Sequence, residues 1–189
     1  MLTEKFVRAT ELALRLHATQ RRKGTQIPYT SHLLGVASLV LENGGDEEQA
    51  IAGLLHDAIE DVGPEAAPAI RDLFGERVLR IVQGCTDGVP DAEGRKPDWR
   101  TRKVAYLAHL EEADPDVLLV SASDKLYNAR AIVTDLHTVG RAVFDRFTAG
   151  EAGTLWYYGE LARIFEARLP GGLSKELART VDLMKGATH

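Results

Sequence analysis

The apolar run Ile51-Ala52-Gly53-Leu54-Leu55 ends abruptly on His56-Asp57-Ala58-Ile59-Glu60-Asp61. No other feature limits the folding of this chain so tightly. A stretch buried on every side must emerge where an imidazole and three carboxylates are tolerated within about a turn and a half of helix. Asp46 with Gln49 three residues later resembles a capping box, and Gly63-Pro64 is a stop signal, so the spacing predicts one helix running through the acidic string. On such a helix Glu60 follows His56, and Asp61 follows Asp57, as i,i+4 neighbours. Carboxylates this close repel one another unless a cation offsets them. The alternative is a solvated acidic helix end with an incidental histidine.

The rest of the chain also reads as helical. Phe6, Leu12 and Leu16 recur at helical spacing between Thr3, a candidate N-cap, and His17. A basic segment with Gly24 and Pro28 breaks the period as a loop, and a second helix runs from about His32 to Glu42 before Asn43-Gly44-Gly45. Residues 65–84 divide into two short helices at Gly75. Residues 85–98, with two Pro and two Gly, are expected to form a mobile loop. Further helices are expected over Trp99–Glu112, Asp116–Leu136, Arg141–Thr148, Glu151–Leu169 and Ser174–Lys185. Val117–Ser123 could pass for a strand, but Leu119, Leu126 and Ala129 keep a helical period into the following residues, which favours one long buried helix. The expected architecture is all-α: a single compact multi-helix domain over residues 1–189, with core motifs in 17–136 and C-terminal helices in 141–185. A chain of 189 residues suffices for one such core.

A formal net charge of −5 argues against broad binding to nucleic acid or anionic membranes, while leaving room for a local basic pocket. The lone Cys85 has no intramolecular disulfide partner, and charges interrupt the apolar residues of the N-terminal segment, unlike a secretory signal. A reducing, cytoplasmic setting is the expectation.

Two more polar residues stand at the edges of apolar segments. His32 opens the second helix, and Asp124 follows the run Val117–Val120. Alone, His32 could be a satisfied core histidine and Asp124 the partner of a local Lys or Arg. Mixed imidazole and carboxylate donors suit Mn²⁺, Fe²⁺ or Zn²⁺ better than Ca²⁺. The order His32, His56-Asp57, Asp124 resembles the H…HD…D ligand signature of the HD superfamily. The segments 17–32 (HATQRRKGTQIPYTSH), 54–62 (LLHDAIEDV) and 123–130 (SDKLYNAR) resemble the hydrolase domains of RelA/SpoT-type proteins and the small stand-alone alarmone hydrolases.

That resemblance implies a metal-dependent phosphohydrolase of the stringent response. It would remove the 3′-diphosphate of guanosine tetra- or pentaphosphate (ppGpp, pppGpp), usually with Mn²⁺ on His32, His56, Asp57 and Asp124. Glu60 and Asp61 match the family's acidic pair and would position or deprotonate a water, or support the metal shell electrostatically. Arg22 and Lys23 match its basic pair, with Arg22 facing the guanine base, and Asn128, on the same helical face as Asp124, is assigned to substrate contact. The cluster Arg95, Lys96, Arg100, Arg102 and Lys103 reads as a solvated helix face, and Trp156-Tyr157-Tyr158 as packing. Leu33 stands where the family often has Pro, and the region 85–102 diverges. Another nucleotide or NADPH is therefore the competing substrate, and a non-catalytic nucleotide-binding module the competing class. The length leaves no room for synthetase and regulatory domains, so a stand-alone hydrolase with a small nucleotide substrate is expected.

Overall fold

A computed structural model describes residues 1–88 and 97–186 of the chain. Among them there is no strand. Helices α1 (Glu4–Leu16), α2 (Thr30–Glu42), α3 (Glu47–Leu55), α4 (Ala58–Asp61), α5 (Ala66–Phe74), α6 (Glu76–Cys85), α7 (Trp99–Glu112), α8 (Pro115–Val139), α9 (Gly150–Arg168) and α10 (Gly172–Gly186) follow in order. A single antiparallel bridge joins Arg21 to Pro28 in the loop after α1. The all-α expectation holds.

Local chemistry fixes the ends of these helices. The Thr3 hydroxyl accepts from Lys5 N at 3.2 Å. Asp46 and Gln49 form the reciprocal capping box, the Gln49 N–H donating to Asp46 Oδ1 at 3.0 Å and the Asp46 N–H to Gln49 Oε1 at 2.8 Å. Arg77 of α6 reaches Asp46 at 2.6 Å and clamps both oxygens of Asp116 at the start of α8 at 2.8 and 3.0 Å. One guanidinium thus ties the N-termini of α3 and α8 together. Asp46→Ala removes the cap and one arm of this clamp, and is expected to cost about 1–2 kcal/mol in urea unfolding.

The centre of the fold is the crossing of α2, α3 and α8. Val36, Ala37 and Val40 of α2, Ile51, Leu54 and Leu55 of α3, and Leu118, Val120 and Leu126 of α8 are all buried. Gly53 lets α3 approach α2 closely, since a Cβ there would lie 3.3 Å from Ala37 Cα. α8, with Pro115 in its first turn, is the one long helix expected through Leu119, Leu126 and Ala129, and all three are buried.

Three expectations need correction. The predicted helix through the acidic string is two helices, because α3 stops at Leu55 and α4 starts at Ala58. His56 Nδ1 donates at 2.8 Å to the Gly53 carbonyl, the acceptor a continuing helix would offer to Asp57 N. Asp57, at φ −94° and ψ −3°, stands instead at the residue before α4, with its side chain free of any capping bond to that helix. The helix expected over Arg141–Thr148 is a 3-10 segment, Gly140–Arg146, that starts at Gly140 itself, whose φ of +62° ends α8 and favours glycine. Finally, Arg102 and Lys103 are not solvated; both side chains are more than four-fifths covered. Of the expected loop 85–98, Cys85 ends α6, and residues 89–96, which include Arg95 and Lys96, lie outside the described residues.

Candidate functional site

Break and crossing together bring the ionisable residues to one point. His32 comes from the first turn of α2, His56 and Asp57 from the kink between α3 and α4, and Asp124 from the middle of α8. The side chains of His32, His56 and Asp124 are almost fully buried. The two imidazole Nε2 atoms face each other at 3.2 Å. Asp124 Oδ1 lies 3.3 Å from His32 Nε2 and 3.5 Å from His56 Nε2, and Asp57 Oδ2 lies 3.5 and 3.0 Å from the same atoms. One ligand atom each from His32, His56 and Asp124 falls within 4.8 Å of the others, a span one divalent cation can bridge.

The surroundings set the state of each donor. With Nδ1 held by the Gly53 carbonyl, His56 presents Nε2 to the cluster, as a metal-binding imidazole does. The Tyr29 hydroxyl donates to Asp57 Oδ2 at 2.5 Å and is kept protonated by its burial and by that carboxylate. Burial alone would raise the Asp124 carboxyl; the Lys125 ammonium, 2.5 Å away, and the imidazoles outweigh it and hold Asp124 well below the usual range. For His56, burial is outweighed by Asp57 and Asp124, which raise it well above its ordinary value. A divalent cation would take over this compensation of two carboxylates and displace the proton. The donor set therefore fits such a cation.

Glu60 and Asp61 part company on α4. Asp61 Oδ2 accepts from Gln20 Nε2 at 2.7 Å, whereas Glu60 Oε1 lies 4.0 Å from Arg102 of α7. Desolvation raises the Asp61 carboxyl against the Gln20 hydrogen bond, and Asp57 and Glu60 push it the same way. A carboxyl so raised is better matched to proton transfer near neutral pH than an ordinary one.

Asn128 links this cluster to the basic loop. Its Nδ2 donates to Asp124 Oδ1 at 2.6 Å and its Oδ1 accepts from Arg22 at 2.9 Å. Arg22 also lies over the Tyr127 ring, 5.5 Å from its centroid. Asn128 lines two adjoining cavities. One, of about 320 Å³, is walled by Arg22, Lys23, Tyr29, Ile132 and Phe147; the other, of about 190 Å³, by Lys103, Lys125, Phe147 and Tyr157. The structure thus puts Arg22, Lys23 and Asn128 on the wall of one cavity and ties Asn128 to the cluster of His32, His56, Asp57 and Asp124, whereas Glu60 and Asp61 lie on α4 outside both cavity walls. It adds His17, Gln20, Tyr29, Lys103 and Lys125. The first three and Lys125 lie inside the resembling segments, where their side chains carried no signal of their own. Lys103 was hidden by being read as surface. Asp87, itself buried, pairs with both Arg102 and Lys103, and Lys103 lines the smaller cavity. Tyr157 and Tyr158 pack in the core as expected, although both also line the smaller cavity.

The chain matches the HD domain family model over residues 9–155 and belongs to that family. Such a domain carries a divalent metal, and the histidine and aspartate cluster is the place this chain offers one. Its relatives are narrower in kind. A guanosine-3′,5′-bis(diphosphate) 3′-pyrophosphohydrolase of Aquifex aeolicus is 37% identical over 129 residues, 68% of this chain and 18% of that protein. One from Danio rerio, named MESH1, is 34% identical over 133 residues, 68% of this chain and 69% of that protein. The chain therefore spans most of the second relative and under a fifth of the first. A solved metazoan orthologue of SpoT, described as hydrolysing ppGpp and playing a role in starvation responses, superposes with a TM-score of 0.62 at 25% identity. That match covers 89% of this chain and 98% of the other. Among the described residues no helix is long and apolar enough to cross a membrane.

Proposed function

We propose that this chain is a Mn²⁺-dependent phosphohydrolase that removes the 3′-diphosphate of guanosine tetra- or pentaphosphate in the cytoplasm. The observation that carries the reading is Asn128, whose amide joins Asp124 of the candidate metal cluster to Arg22 of the basic loop. A ligand held by Arg22 in the larger cavity thereby has its phosphates directed at the cluster. The family relatives that act on this nucleotide support the choice of substrate.

In this reading His32, His56, Asp57 and Asp124 hold the metal. When bound, it supplies Lewis-acid polarisation of a phosphoryl oxygen. Arg22 stacks on the guanine with its planar cation, and Lys23 and Asn128 complete the nucleotide site. Lys103 and Lys125, on the wall of the smaller cavity, offer positive charge to the remaining phosphates. Asp61 takes the proton from the attacking water, and Glu60 holds that water or supports the metal shell.

The test is a panel with purified full-length protein, stripped by chelator and reloaded with Mn²⁺. Diphosphate release from guanosine tetraphosphate is expected, falling to background with chelator and returning with Mn²⁺. Phosphate release from NADPH or ordinary nucleotides alone would replace the substrate while keeping the metal chemistry. Nucleotide binding with equal, negligible turnover in wild type and Glu60→Gln would make the chain a binding module.

A further inference from the structure

We propose that His17 and Gln20 are positioning residues that hold Asp61 for proton transfer, an inference that rests on the reading of Asp61 given above. Gln20 Nε2 donates to Asp61 Oδ2 at 2.7 Å, and Gln20 Oε1 lies 2.6 Å from His17 Nδ1. Three side chains from two separate segments thus form one hydrogen-bonded line that ends on a carboxylate beside the metal cluster.

Proton counting fixes every member of this line. An ionised carboxylate only accepts, so the amide must turn its NH₂ toward Asp61 and its oxygen toward His17. An amide oxygen also only accepts, so His17 Nδ1 must carry the hydrogen. In the neutral ring Nε2 then holds a lone pair, and it is buried without a partner. His17 is only 2% exposed, so an apolar side chain would fill the same space without leaving that nitrogen unsatisfied. The histidine's distinctive contribution is a donor that fixes which way the Gln20 amide faces.

The backbone is built around the same contact. His17 caps α1, its N–H bonded to the Ala13 carbonyl at 3.1 Å, and its own carbonyl accepts from Gln20 N at 3.1 Å. The Gln20 carbonyl in turn accepts from Tyr29 N at 3.0 Å. This turn brings the Gln20 amide to the edge of the His17 ring and within reach of Asp61. The His17 ring lies 5.3 Å from the Tyr29 ring, whose hydroxyl reaches Asp57. The line therefore rests on the same aromatic layer that supports the metal cluster. With Oδ2 held by Gln20, Oδ1 is the oxygen of Asp61 left to accept a proton from water.

Two measurements on the full chain test this. In the Mn²⁺-loaded enzyme with guanosine tetraphosphate, Gln20→Leu is expected to lower kcat by about 10–100-fold with KM within about twofold, as loss of an orienting partner does. His17→Phe should fall comparably, and His17→Asn, whose amide nitrogen takes the place of Nδ1, should recover most of the loss. Full activity in Gln20→Leu beside an inactive Asp61→Asn overturns the positioning role alone. Full activity in Asp61→Asn overturns the reading of Asp61, and the positioning role with it. Independently of turnover, ¹⁵N-edited NMR of the folded chain should show His17 as the Nδ1–H tautomer. It should lose that preference in Gln20→Leu, whereas an Nε2–H tautomer in the wild type overturns the arrangement.

Discussion

Asp124→Asn is expected to abolish hydrolysis, lowering kcat/KM by on the order of 10³-fold or more, because a bound divalent cation contributes several kcal/mol to such a reaction. The substitution keeps the shape of the side chain and removes its charge. Asp124 is the acidic residue of the cluster in contact with both imidazoles, with Lys125 and with Asn128. An amide there would turn either its NH₂ toward groups that already donate or its oxygen toward them without the charge a divalent cation requires. Equilibrium dialysis with Mn²⁺ should show the loss directly, and retention of metal and turnover would remove Asp124 from the ligand set.

The same change also acts on the fold. Lys125 is buried beside Asp124, with its ammonium 5.3 Å from the Tyr106 ring centroid, and the carboxylate holds its pKa well above the ordinary value despite burial. Removing one member of a buried pair strands the other, at a cost of about 3–5 kcal/mol. A single variant thus confounds lost chemistry with lost stability. The double variant Asp124→Asn, Lys125→Met removes the stranded ammonium. It is expected to regain most of the melting temperature in circular dichroism while staying inactive. Recovery of activity in the double variant would assign the effect to folding.

What could be read from residue order, and what could not, divides along physical lines. Helix limits were legible because caps and breakers act within a few residues; Thr3, the Asp46 and Gln49 box and Gly75 all lie where local chemistry placed them. The ligand candidates were legible because apolar runs begin or end at them, and their convergence rested on family resemblance. The kink at His56 and Asp57 was not legible, since it arises when a side chain takes a backbone acceptor, a competition that spacing does not reveal. As consecutive residues of α4, Glu60 and Asp61 point about 100° apart and so face different partners, Arg102 and Gln20. Lys103 was misread for another reason. Whether a cation on a helix is solvated depends on what lies opposite, here Asp87 and the Tyr157 ring, and both belong to distant segments.

Gly53→Val should damage the site without touching any group that reacts. The substitution removes a helix-disfavoured glycine, a gain of a few tenths of a kcal/mol. Against this, even a bare Cβ at position 53 would meet Ala37 Cα at 3.3 Å and Ala37 N at 3.4 Å, backbone atoms that yield only if α2 moves. The γ-methyls of valine extend further toward Val40, and overpacking of this kind costs about 1–3 kcal/mol. Movement of α2 carries His32 away from His56, whose 3.2 Å approach depends on this crossing. It also strains the Gly53 carbonyl that orients His56. We expect Mn²⁺ affinity to fall about 10–100-fold, in line with disturbed outer-shell support. The melting temperature should drop with it, and Gly53→Ala, whose Cβ meets the same backbone atoms without the γ-methyls, should fall between wild type and Gly53→Val in both. Unchanged metal affinity in a destabilised Gly53→Val would show that the α2–α3 spacing sets stability alone, and that the ligands find one another by some other constraint.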